Sequence, residues 1–160
     1  MSLKIIATSL LAFVLMAGVS IAGTLADATF HSKALNADLP VNIYRPDGAP
    51  PDNGWPVIYL LHGHDGDQNS WRDLGNINKT LDGMIASGAI RPVVVVMPGV
   101  KNSWYVDSAD VGGPGNYETA LTGELGACGK DAARAQGQTG PRHHWPLHGR
   151  FRRTASGLCT

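Results

Sequence analysis

Pro56-Val57-Ile58-Tyr59-Leu60-Leu61-His62-Gly63-His64-Asp65-Gly66 and Pro92-Val93-Val94-Val95-Val96-Met97-Pro98 decide the fold. Each carries an unbroken apolar run, the pattern of a strand covered on both faces in a parallel sheet. Between them Leu74, Ile77, Leu81, Met84 and Ile85 fall on one face of a helix. Ser70 or Asp73 would cap its start, and Gly88 would stop it. Strand, helix, strand is a βαβ unit, which predicts an α/β fold with a mostly parallel sheet.

On the N-terminal side, Phe30 to Pro46 reads as a β-hairpin or two short strands, with alternation over Leu39-Pro40-Val41-Asn42-Ile43-Tyr44. A Pro-, Gly- and Asp-rich loop, Asp47 to Gly54, follows. On the C-terminal side, Tyr117 to Leu125 begins another helix. From Gly126 the pattern fails, because Gly126, Gly129, Gly137 and Gly140 would each weaken a helix. The expectation is therefore one folded core over residues 23–125 and an aberrant, disordered tail over residues 126–160. The whole chain, 160 residues, suffices for one domain.

The formal net charge is zero, which gives no argument for a nucleic-acid partner. It hides an asymmetry: residues 126–160 hold six basic residues and one acidic residue, Asp131. Met1–Lys4 carries one positive charge, Ile5 to Val19 is almost wholly apolar, and small residues follow. That is the layout of a secretory signal over residues 1–22, ending at Ser20-Ile21-Ala22, with a later candidate cleavage site at Ala26-Asp27-Ala28. An uncleaved anchor is the rival reading, but the run is short against the roughly 20 residues of a span. The mature protein is expected in the periplasm or outside the cell, with no membrane contact after cleavage. Cys128 and Cys159 could pair in an exported protein, yet neither has metal-site spacing, and their occurrence reads as accidental. His143, His144 and His148 lack ligand-like order, so no metal and no cofactor is expected.

Ligands of doubly wound sheets gather at the C-terminal ends of the strands, which is where His62-Gly63-His64-Asp65-Gly66 falls. Gly63 and Gly66 let the backbone turn sharply and approach a ligand. A backbone N–H there is placed to meet a developing oxyanion. The alternative is a tight turn with a structural His62.

Phe30-His31-Ser32-Lys33-Ala34-Leu35, the Leu39–Pro46 segment and Leu60-Leu61-His62-Gly63-His64-Asp65-Gly66-Asp67-Gln68-Asn69-Ser70-Trp71 occur in an order that resembles a serine-esterase family. Val96-Met97-Pro98, Asn102-Ser103-Trp104-Tyr105 and Tyr117-Glu118-Thr119 extend the resemblance, which covers roughly residues 30 to 125. That family includes feruloyl and acetyl-xylan esterases, S-formylglutathione hydrolases and mycolyltransferase-like proteins. The resemblance implies a truncated α/β-hydrolase fold and a carboxylic-ester hydrolase working through an acyl-serine. It implies an oxyanion-hole backbone at His64, helped by Asp65, on a supporting turn of His62, Gly63 and Gly66. Trp104 and Tyr105 become a possible substrate pocket, with plain packing as the alternative. The implied partner is a small-molecule or carbohydrate ester.

The family's nucleophile sits in Gly-x-Ser-x-Gly on a strained strand-to-helix turn, and the 160 residues contain no such motif. The implied acid and histidine are absent too, so no residue here is assigned a catalytic role. The tail reads as a frameshift product. Joining the last two bases of each codon to the first of the next makes Trp145-Pro146 encode Gly. Across His143 to Thr160 the same frame permits Ile-Ile-Gly-Leu-Ser-Met-Gly-Gly-Phe-Gly-Ala-Leu-Arg-Leu-Ala-Phe-Ala, which contains a nucleophile elbow. A one-base slip near Leu125–Gly126 is expected, leaving the Pro92–Met97 strand with an unpaired edge or a bare apolar face and the chain poorly soluble. The rival functions are an exported binding module without turnover and a basic-tailed surface-binding protein using Arg150, Arg152 and Arg153.

Overall fold

The computed structural model describes residues 22–134. The signal-like segment up to residue 21, and the histidines and Cys159 of the tail, lie outside the described residues. Strands β1 (Thr24–Ser32) and β2 (Ala37–Arg45) form an antiparallel hairpin, in register from Thr24 with Arg45 to Ser32 with Ala37. Its turn closes where Asn36, at φ +46°, donates its N–H to the Lys33 carbonyl. The short polar side chain of Asn tolerates that left-handed conformation. Strand β2 pairs antiparallel with the strand Val94–Pro98, which pairs parallel with Val57–Tyr59. With Val57–Tyr59 as β3 and Val94–Pro98 as β4, the sheet order is β1-β2-β4-β3.

Strand β4 is buried throughout, and its alternation divides the core in two. Val94 and Val96 join Phe30, Leu39, Val41, Trp55 and Tyr117 on one face; Val95 and Met97 join Tyr44, Leu81 and Val93 on the other. The second face is covered by helices α1 (Ser70–Asp73) and α2 (Ile77–Ala86), and the first by a helical stretch ending in α3 (Gly126–Arg134).

Four expectations need correction. The apolar run Pro56–Leu61 contains only a three-residue strand, and β3 lies at the sheet margin, not between two neighbours. Ile58 is 48% exposed and Leu61 39%. The sheet margins are thus β1 and β3, while β4, the Pro92–Met97 strand, is paired on both sides. Second, the predicted single helix is broken: α1 ends at Asp73, Asn76 sits at φ +44°, and Leu74 is 87% exposed. Neither Ser70 nor Asp73 caps α2, whose first residue follows Asn76. Gly88 does end it, at φ +72°, with Ala89 N–H on the Met84 carbonyl and Gly88 N–H on that of Ile85. That pair of bonds is a Schellman motif, which glycine favours because it enters the left-handed region without a Cβ penalty.

Third, the helix begun at Tyr117 does not fail at Gly126. It runs through a π-helical segment, Thr119–Leu125, directly into α3. The wider turn brings Ala120 and Leu125 to the same buried side, although five residues would fall about 140° apart on an α-helix. Fourth, α3 is packed: Ala133 is buried in the first core cluster, and its carbonyl accepts the Trp55 N–H at 3.1 Å. Tertiary burial overrides the cost of Gly126 and Gly129, the usual way context defeats weak propensity.

Candidate functional site

Two loops leave the C-terminal ends of the parallel neighbours β3 and β4, and they are fastened to each other. In the first, Gly66 N–H closes a turn on the Gly63 carbonyl at 3.1 Å, with Asp65 at φ +57° in the third position. A positive φ there is the mark of a type II turn, and Asp tolerates it better than most non-glycine residues.

His62 anchors this turn from below. Its imidazole is buried, with Nδ1 2.8 Å from the Gly63 carbonyl oxygen and Nε2 3.1 Å from the Val100 backbone nitrogen. A carbonyl only accepts and an N–H only donates, so Nδ1 carries the proton and Nε2 accepts from Val100. The His62 backbone carbonyl accepts the Tyr105 hydroxyl, and the two rings lie 6.0 Å apart. The sequence left two roles open for His62; this geometry assigns it the structural one.

The second fastening is reciprocal. Asp65 donates its N–H to Asn102 Oδ1 at 2.8 Å, and Asn102 Nδ2 donates to Asp65 Oδ1 at 2.7 Å. The Asn102 amide, followed by the nearby His64, holds the Asp65 carboxyl below its usual range. The Asp65 N–H, which the sequence reading offered as a helper to the oxyanion donor, is thus engaged by Asn102. His64 N–H has no hydrogen-bond partner among the described residues, and a Cβ at Gly63 would meet open space. His64 is exposed on this turn.

The β4 loop is held in an unusual conformation. Lys101, Trp104 and Tyr105 all have positive φ, from +52° to +61°. Bulky side chains rarely occupy this region, and such strain persists only where surrounding contacts enforce it. Here buried Ser103 accepts the Tyr105 N–H on Oγ at 3.3 Å, and the Tyr105 hydroxyl is tied to His62. Burial pushes the Tyr105 phenol above its ordinary pKa, so it stays a donor. Tyr105 is thus a brace as well as a wall. Trp104, 79% exposed, lies with its ring 6.5 Å from that of His64.

Beside the free edge of β3 runs a groove of about 830 Å³, lined in part by Trp55, Val57, Tyr59, Leu61, Tyr105 and Leu121. The turn residues His62, Gly63, His64, Asp65 and Gly66 and the loop residues Trp104 and Tyr105 are thus brought to one end of the sheet. Sequence reasoning quoted Asn102 and Ser103 only as part of a resemblance and missed their part in fastening the loops. The available signal was positional: a side-chain amide just past one parallel strand faces an Asp just past its neighbour. Among the described residues no cluster of His, Cys, Asp and Glu could hold a metal ion.

A four-strand mixed sheet of this order, with helices on both faces, is an α/β-hydrolase-like fragment. A ferulic acid esterase superposes with a TM-score of 0.61 at 23% identity, over 71% of this chain and 46% of that one. An S-formylglutathione hydrolase from Agrobacterium tumefaciens does so with a TM-score of 0.56 at 17% identity, over 72% and 46%. These likenesses show the fold. An endo-1,4-beta-xylanase/feruloyl esterase of Xylanibacter ruminicola is 30% identical over 109 residues, which make up 64% of this chain and 15% of that protein. The profile of the family described as "Putative esterase" matches residues 32–138. The chain belongs to that family. It spans less than half the length of each of these three proteins.

Proposed function

We propose that the chain carries the oxyanion-binding half of an exported serine carboxylesterase whose nucleophile lies in the shifted reading frame. One observation carries this reading: the His64 N–H, unpartnered among the described residues, sits on a turn braced by His62 and by the Asp65–Asn102 pair. A preorganised amide at the end of a parallel strand is worth most where negative charge develops in the transition state. A serine hydroxyl would attack the ester carbonyl, its oxygen would take the charge against that amide, and water would later release the acyl group. Trp104, exposed beside His64, would face the sugar or phenolic part of the ester. Names of relatives at feruloyl esters make such compounds the first substrates to try.

The slip would fall near Leu125–Gly126, ahead of the segment whose shifted frame permits the missing motif. The shifted frame then permits Gly-Leu-Ser-Met-Gly, with a serine across codons 147 and 148. The test is to sequence codons 120–160, restore the frame by skipping one base, and assay nitrophenyl acetate and methyl ferulate. The restored protein should hydrolyse them well above the buffer rate, and alanine at the new serine should abolish this. The 160-residue chain should give only the buffer rate. A stop codon in the shifted frame, or hydrolysis by the unrestored chain, removes the proposal.

A further inference from the structure

Asp82, on α2, reaches across to the residue that precedes β1. Its Oδ1 accepts the Gly23 N–H at 2.8 Å and the Tyr44 hydroxyl at 2.7 Å. None of the ion pairs among the described residues involves Asp82, so its charge meets donors but no cation. Partly buried carboxylates of this kind are stabilised most by a positive charge in hydrogen-bonding contact. Position 23 also admits little but glycine. A Cβ there would lie 2.6 Å from the Arg45 carbonyl oxygen and from the Tyr44 ring. The preceding residue, Ala22, is exposed and closes the small-residue triplet Ser20-Ile21-Ala22.

We propose that the leader is cut between Ala22 and Gly23, and that the new α-ammonium of Gly23 forms an ion pair with Asp82. A leader peptidase of the export machinery would add one water across that peptide bond. The carboxylate leaves with the leader, and the amine on Gly23 takes up a proton, as α-amino groups do near neutral pH. The ammonium then replaces the amide N–H already seated on Asp82. The contact changes from a neutral donor on a carboxylate to a charge-assisted one, so it strengthens only after processing. The later site, after Ala28, would give none of this. It would remove Thr24 to Ala28, which pair with Arg45 to Val41, more than half of the β1–β2 register, and would also take Asp27 from Arg72. The inference rests on the export reading and is independent of the ester chemistry.

The experiment uses the full chain, exported with its own leader and purified. Mass spectrometry of the N-terminal peptide should find it beginning at Gly23. A chain beginning at Thr29 would overturn the proposal while leaving export standing; one still beginning at Met1 would remove both. The α-amine is then labelled with acetic anhydride at neutral pH. An opposite charge in contact favours the unreactive ammonium, so labelling should be about tenfold slower than in Asp82→Asn. A second chain that keeps Ala22 as its first residue, with Asp82 intact, should also label fast. That chain guards against Asp82→Asn simply failing to fold. Equal labelling rates for the Gly23-initiated and Ala22-initiated chains would overturn the ion pair.

Discussion

His62→Ala tests the claim that the turn is held by one neutral, two-handed imidazole. The side chain is buried, accepts the Val100 N–H, and donates to Gly63. Truncation leaves the Val100 N–H without a partner at a residue with no exposed surface, which costs about 1–3 kcal/mol. It also opens a void beside Tyr105 and Gly66, because the ring that meets both is gone. A void of this size adds about 1–2 kcal/mol when its walls relax only in part. The sum, about 3 kcal/mol, would be read as a lower urea midpoint at unchanged slope. Amide exchange should rise most at Val100, with smaller changes at Leu81 on the opposite face of the sheet. His62→Gln, which keeps an acceptor near Val100, should recover part of the loss. A loss below about 1 kcal/mol, the range of ordinary surface substitutions, would show that the turn is held by something else.

Acid should loosen the loops only in a low window. Asn102 depresses the Asp65 carboxyl, and the Thr119 hydroxyl and then its N–H depress that of Asp107. A depressed carboxylate stabilises above its unfolded value, about 3.9, and that contribution is lost as pH falls through the lower folded value. Carboxyl NMR titration should place both midpoints below that of an unperturbed aspartate; a midpoint at or above it removes the fastening role of these groups. The open edge of β3 should drive self-association, since Ile58 lies exposed on this margin strand and Leu61 lies exposed just beyond it. Ile58→Lys should reduce light scattering of the mature chain, and unchanged scattering would place the sticky surface elsewhere.

The sequence of β3 and that of β4 look alike, and the structure treats them differently. Both are unbroken apolar runs, because periodicity reports what a strand needs on its faces. It carries no information about which strand lies at a margin; that follows from sheet order, a non-local property. The broken helix was illegible for a related reason. Leu74 fits the apolar spacing, but a left-handed Asn76 redirects the chain, and no residue type compels that turn. The helix from Gly126 to Arg134 was missed because glycine counts measure local cost, while Ala133 and Trp55 supply contacts from far along the chain. The site was half legible. Glycines at the end of a strand announced the turn, whereas the commitment of the Asp65 N–H to Asn102 depends on two loops meeting. The exposure of Ile58 and Leu61 carries the argument one step further. A strand with apolar residues on its open side is composed for a neighbour, and β3 has one on only one side. The shifted frame proposed above permits Ile-Ile-Gly ahead of a serine, a short apolar run of the kind that would pair there.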